Sequence, residues 1–114
     1  MYSLQIPEML KDFRPQAPRN FGISVRLMIG PEGIDQSESF DVFVCTPAWI
    51  QAQLGEHGYM WGRHMLIAEE YDYELILRSL SAQVSSCTGN DWLEVANKIA
   101  RIAAWEFEDY QPLR

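Results

Sequence analysis

Residues 22–30 read GISVRLMIG and residues 39–46 read SFDVFVCT. In the first stretch Ile23, Val25, Leu27 and Ile29 alternate with Ser24, Arg26 and Met28. That period of two puts one face of a strand into a core. In the second, Phe40, Val42 and Val44 share one face, and Asp41, Phe43 and Cys45 share the other. Aromatic and β-branched residues on both faces mark a central strand. Gly30, Pro31 and Gly33 make a turn between them, in a loop rich in acids and longer than two residues. The two strands therefore pair as an antiparallel hairpin.

Downstream of the hairpin, Thr46-Pro47 reads as a helix start. The threonine caps free N–H groups, and proline suits the first helical position. A short helix is expected over residues 47–54, with Trp49, Ile50 and Leu54 inward and Gly55 and Gly58 ending it. RHMLIAEEY, residues 63–71, reads as a third strand. Asp72 then caps a second helix, in which Tyr73, Ile76, Leu77, Leu80, Val84 and Cys87 form one apolar stripe, stopped by Gly89. Asn90 or Asp91 caps a third helix, carried by Trp92, Val95, Ala96, Ile99, Ile102 and Ala103 and extending toward Trp105 or Phe107.

Upstream, Pro7, Pro15 and Pro18 break any helix in residues 1–21, while Tyr2, Leu4 and Ile6 alternate and can add a short edge strand. Strands first and helices later predict an α+β fold: an antiparallel sheet of three to four strands covered on one face by two or three helices. A chain of 114 residues has room for one domain, 1–114, and not for two.

Charge narrows the function classes. Nine Lys and Arg against sixteen Asp and Glu give a net charge of −7. Nucleic-acid binders draw their affinity from phosphate neutralisation by cations, so no nucleic-acid partner is expected. An anionic membrane surface is disfavoured for the same reason, and no apolar run approaches the ~20 residues of a bilayer span. The N-terminus, MYSLQIPEMLKDF, lacks the basic start and apolar stretch of a signal peptide. Cys45 and Cys87 are read as reduced thiols in apolar settings, as in a cytoplasmic protein, with a disulfide between them as the alternative.

Few residues offer chemistry. His57 and His64 are the only histidines. No short-range ligand pair accompanies them, so no metal and no cofactor is expected. Cys45 and His64 sit on adjacent expected strands and form a candidate Cys–His pair. Thiolate chemistry, however, needs an electropositive and partly exposed site, whereas Cys45 ends the apolar VFV run. IGPEG at residues 29–33 reads as a turn, since Glu32 would repel phosphate.

The acidic clusters are more informative. Glu69, Glu70, Asp72 and Glu74 form one run at a helix start, where the macrodipole favours carboxylates and explains them without any function. Glu106, Glu108 and Asp109 form another, interleaved with Trp105, Phe107 and Tyr110. Placed at the end of the third helix, these acids would oppose the dipole, a local cost that points to a functional surface. The aromatics can instead pack inward and leave the acids outside. Aromatic residues ringed by charge also suit a protein interface.

Five segments in order resemble the immunity protein 8 family of bacterial polymorphic toxin systems. They are IGPEG, SFDVFVCTPAW, GRHMLIAEEYDY, SCTGNDWLEVANKIA and WEFEDY. The resemblance runs over about residues 20–110. It implies a protein encoded beside a secreted toxin, which protects the producing cell by binding the toxin domain in the cytoplasm without catalysis of its own. The family's tryptophan- and acid-containing C-terminal motif corresponds to residues 105–110, and its CTPxW segment to Cys45, Thr46, Pro47 and Trp49.

The expected function is neutralisation of a cognate toxin domain, basic and with a nuclease as one candidate class, by occlusion of its active site or an exosite. The candidate contacts are Glu69, Glu70, Asp72, Glu74, Trp105, Glu106, Glu108 and Asp109. The Arg26 and Met28 face and the loop at residues 55–62 are further candidates. The alternatives are a general interaction or dimerisation module, pairing through a sheet face or edge, and a small Cys/His enzyme. The protein is expected as a monomer or a homodimer.

Overall fold

The hairpin is the centre of the molecule. In the computed structural model, which describes residues 2–33 and 36–107, it forms β2 (Gly22–Pro31) and β3 (Glu38–Cys45). They pair antiparallel, with Val25 opposite Val42 and Leu27 opposite Phe40. These side chains, with Ile29 and Val44, are buried. Gly30 is required where the hairpin closes, because a Cβ there would run into the backbone carbonyl of Gln36.

The fold is α+β, as the sequence predicts. Its element order is β1 (Tyr2–Gln5), α1 (Glu8–Asp12), β2, β3, α2 (Pro47–His57), β4 (Met65–Ile67), α3 (Tyr73–Ser85), α4 (Trp92–Ile99) and β5 (Ala104–Trp105). The sheet runs β1-β2-β3-β4, and β5 also pairs with β3. Helices α3 and α4 cover one face, contributing Ile76, Leu80 and Val84 and then Val95, Ala96 and Ile99 to the core. Side chains alternate along a strand, so Phe43 points away from that core. Trp49 of α2 packs on it at 4.8 Å between ring centroids. Helix α2 therefore lies on the opposite face and buries none of its residues fully.

The caps form where the sequence places them. Thr46 Oγ1 accepts from Trp49 N–H at 3.4 Å, Asp72 from Leu75 N–H at 3.2 Å, and Asp91 from Glu94 N–H at 2.9 Å. Thr46 is fully buried and also accepts from Phe21 N–H at 3.1 Å, tying the start of β2 to the end of β3.

Four expectations need correction. The prolines do not keep helix out of the leader: after β1, the edge strand that the alternation of Tyr2, Leu4 and Ile6 allows, α1 forms with Pro7 at its N-cap, where no helical N–H is lost. Leu10 of α1 is fully buried, so the leader supplies core. The third strand is three residues long and runs parallel to β3, because the chain crosses over through α2 and the loop after it and comes back level with Phe43 before it enters β4. Helix α2 continues past Leu54 to His57, where Gly58 adopts the left-handed conformation that closes it.

The last correction concerns the C-terminal segment. Helix α4 ends at Ile99, and the chain turns through residues 100–103 into β5. Ala103 stays buried at the helical spacing from Ile99, which is why the apolar period misleads there. Among the described residues, no helix is long and apolar enough to cross a membrane.

Candidate interaction surface

The first acidic run sits where β4 gives way to α3. Ala68 N–H still bonds Cys45 O at 2.9 Å, and three residues on Tyr71 N–H bonds Pro18 O at 2.8 Å. The Tyr71 ring packs edge-on against Phe13 and Phe21, and its hydroxyl donates to Leu10 O. Burial raises the phenol above its usual pKa. Tyr71 thus pins the run to the leader, and Glu69 and Glu70 on one side of it face solvent. Arg19 approaches both, at 3.8 Å and 3.7 Å. Exposed pairs at such distances are worth ~0–1 kcal/mol, so these carboxylates are free to exchange partners. Asp72 is spent as the α3 cap, and Glu74 is exposed in the first turn, where the macrodipole favours it.

The second cluster points inward at its start. Trp105 lies in β5 opposite Phe40 and stacks on that ring at 6.0 Å with an interplanar angle of 9°. Its Nε1–H donates to Glu38 Oε2 at 3.0 Å, and Trp92 Nε1–H donates to the same oxygen at 2.8 Å. Glu106 accepts from Ser39 N–H at 2.9 Å, while its own N–H donates to Ser39 O at 3.1 Å. Neither residue ends a helix, so the dipole argument for this cluster does not hold. The reading in which the aromatics pack inward is the one the geometry follows for Trp105. Glu108 and Asp109 lie outside the described residues.

The two runs do not form one patch. β5 pairs with Phe40 and Asp41 at the start of β3, and β4 with residues 43–45 at its end. From Ser39 to Cys45 is six residues of strand, or about 20 Å at about 3.3 Å per residue.

The Cys–His pair is not assembled for nucleophilic work. His64 Nε2–H donates to Ala100 O at 2.9 Å, and its carbonyl accepts Phe43 N–H at 2.9 Å. Cys45 is fully buried, and desolvation raises its thiol pKa, which favours the protonated, unreactive form. Both cysteines are free thiols. Among the described residues, no group of three or more His, Cys, Asp or Glu side chains could hold a metal.

On the open sheet face, Arg26 and Asp41 form a two-pronged pair at 2.9 Å and 3.2 Å, which raises the guanidinium pKa. A groove of about 770 Å³ between β1 and α3 is lined by Tyr2, Leu4, Ile6, Leu77 and Val84, with no charged residue in its walls.

Two features escape sequence reasoning. Glu38, in an acid-rich loop, carries no local sign that two indoles from distant segments converge on it. The segment 55–62, a loop from Gly58 onward, is legible as a candidate, but not that Trp61 is 87% and Tyr59 70% exposed. Beside it, Ile67 of β4 is 54% exposed.

What the fold and surface define is an acidic α+β protein with exposed aromatics and carboxylates flanking a short edge strand. The chain belongs to the immunity protein 8 family, which it matches over residues 1–110. The match extends the resemblance through the leader. Membership supports a toxin-immunity role and a non-enzymatic one. No curated protein and no solved structure shows significant similarity to the chain.

Proposed function

We propose that this chain, acting as a single immunity-type domain over residues 1–114, binds and neutralises a cognate secreted bacterial toxin domain in the cytoplasm. The observation that carries this reading is the family match over residues 1–110. Neutralisation works by occluding the toxin's active site or an exosite. The net charge of −7 favours a basic toxin surface, such as the substrate cleft of a nuclease. Opposed charges raise association rates and disfavour wrong partners.

Of the candidate contacts, Glu69, Glu70 and Glu74 present carboxylates to the partner. Asp72, Trp105 and Glu106 shape the surface through the intramolecular bonds described above. Glu108 and Asp109 extend the acidic character beyond Glu106.

The test is a calorimetric titration of this protein into the C-terminal domain of the protein encoded immediately upstream. Nanomolar binding, with an association rate that falls as salt rises, is expected. A tight complex with a salt-independent rate removes the electrostatic part. Absence of binding would leave a general interaction module as the better reading.

A further inference from the structure

We propose that Trp61, with Tyr59 beside it, is the anchor by which this chain grips its toxin partner, and that the partner offers an apolar socket rimmed by Lys and Arg. The inference rests on the immunity reading and names the surface that reading leaves open.

The first argument is exposure. Trp61 and Tyr59 stand 87% and 70% in solvent. Each aromatic side chain has of the order of 150–250 Å² to bury, and such residues dominate interface energetics. Met9, Ile67, Leu75 and Leu93 are exposed too, but they are aliphatic residues of the kind every surface carries, and Phe107, less exposed, packs edge-on against Trp105.

The second argument is that the loop is held. It opens at Gly58, at φ 84°, whose N–H bonds Leu54 O at 2.7 Å. It closes at His64, which is left-handed at φ 59° although it is not glycine. A non-glycine residue in that region costs of the order of 1–3 kcal/mol and persists only where its surroundings impose it. Here they do: the imidazole is bonded to Ala100 O at 2.9 Å, and the His64 carbonyl accepts the N–H of Phe43 in β3 at 2.9 Å. A loop fixed at both ends loses little conformational freedom on binding.

The third argument is charge. Glu56 in the last turn of α2 precedes the loop, and Glu69 and Glu70 follow β4. Arg63 lies in the loop itself, and Arg19 is shared between Glu69 and Glu70. An exposed aromatic loop with carboxylates before and after it, in a chain of net charge −7, is complementary to an apolar socket with a basic rim. A second copy of this chain would instead set like rims, and −7 against −7, face to face.

The test measures Trp61→Ala, Tyr59→Ala and the double variant against the catalytically inactivated C-terminal domain encoded immediately upstream. Trp61→Ala should weaken binding by about 30-fold or more and Tyr59→Ala by about 5-fold or more. Both variants should keep the wild-type melting temperature, since neither side chain is in the core. Leu93→Ala on α4 is the control and should bind as wild type does. If the wild type binds tightly and the double variant stays within about twofold of it, the anchor is overturned while the immunity reading stands. If the wild type itself fails to bind, the immunity reading fails and the anchor falls with it.

Discussion

Trp105 and Glu38, 67 residues apart in sequence, are joined by an indole N–H donated to a carboxylate oxygen at 3.0 Å. The same oxygen receives the indole of Trp92 at 2.8 Å. One carboxylate therefore ties the last strand and the start of α4 to the head of β3, around the buried ring of Phe40. The acid- and tryptophan-rich C-terminal motif begins as a fastening of the fold.

Removing that acceptor should be costly. Glu38→Ala leaves two half-buried indole donors without a partner, at about 1–3 kcal/mol each at most, and part of this is recovered by water. The expected loss is about 2 kcal/mol in urea unfolding. Glu38→Gln keeps an acceptor oxygen and should lose less. A Glu38→Ala protein within about 0.5 kcal/mol of wild type would show that stacking on Phe40 and pairing with β3 hold the segment without the carboxylate.

Thr46→Val keeps the shape of a fully buried side chain and removes its oxygen. The N–H groups of Phe21 and Trp49 then lose their acceptor. A cost of about 1–3 kcal/mol is expected, against about 1 kcal/mol for Asp91→Ala at the exposed α4 cap. Chemical denaturation of both variants gives the ranking, and equal costs would contradict it.

Much of this framework is legible in the sequence. Alternation in residues 22–30 and 39–46 yields the hairpin, its register face and its core, because burial of one strand face leaves a period of two. Thr46, Asp72 and Asp91 announce their helices, because capping is a local interaction. What the chain hides is non-local. Nothing near Met65 says that its strand runs parallel to β3, since the return path depends on how α2 packs Trp49 on Phe43. Likewise Trp105 sits at a helical spacing that Phe40 and Glu38 override. In the candidate surface, the acidic run and the loop are visible as composition. Their exposure is a property of the folded molecule.

The two thiols should differ in reactivity. Cys45 is fully buried with its pKa raised, and Cys87 is only half-buried. Iodoacetamide at pH 8 should label Cys87 in the native protein and reach Cys45 only after unfolding. The folded state holds the Cys45 proton more tightly than the unfolded chain does. Its contribution to stability is therefore complete below about pH 8.5 and is lost as pH rises through the folded-state pKa. Tyr71 acts in the same sense above about pH 10. Stability that rises between pH 8.5 and 10.5 would contradict this assignment.

Reversing charge at Glu69 and Glu70 separates stability from recognition. Both side chains are exposed and their contacts with Arg19 are long, so the Glu69→Lys/Glu70→Lys protein should stay within about 0.5 kcal/mol of wild type. Its association rate with the toxin domain should fall about tenfold at low salt, and the difference should shrink as screening shortens the reach of these charges. Stopped-flow measurement at two salt concentrations reads this directly.

The central claim is protection from a toxin, and growth measures it most directly. Cells induced to make the C-terminal domain encoded immediately upstream should stop growing, and co-expression of this protein should restore growth. Arrest that persists despite soluble, folded protein would contradict the account.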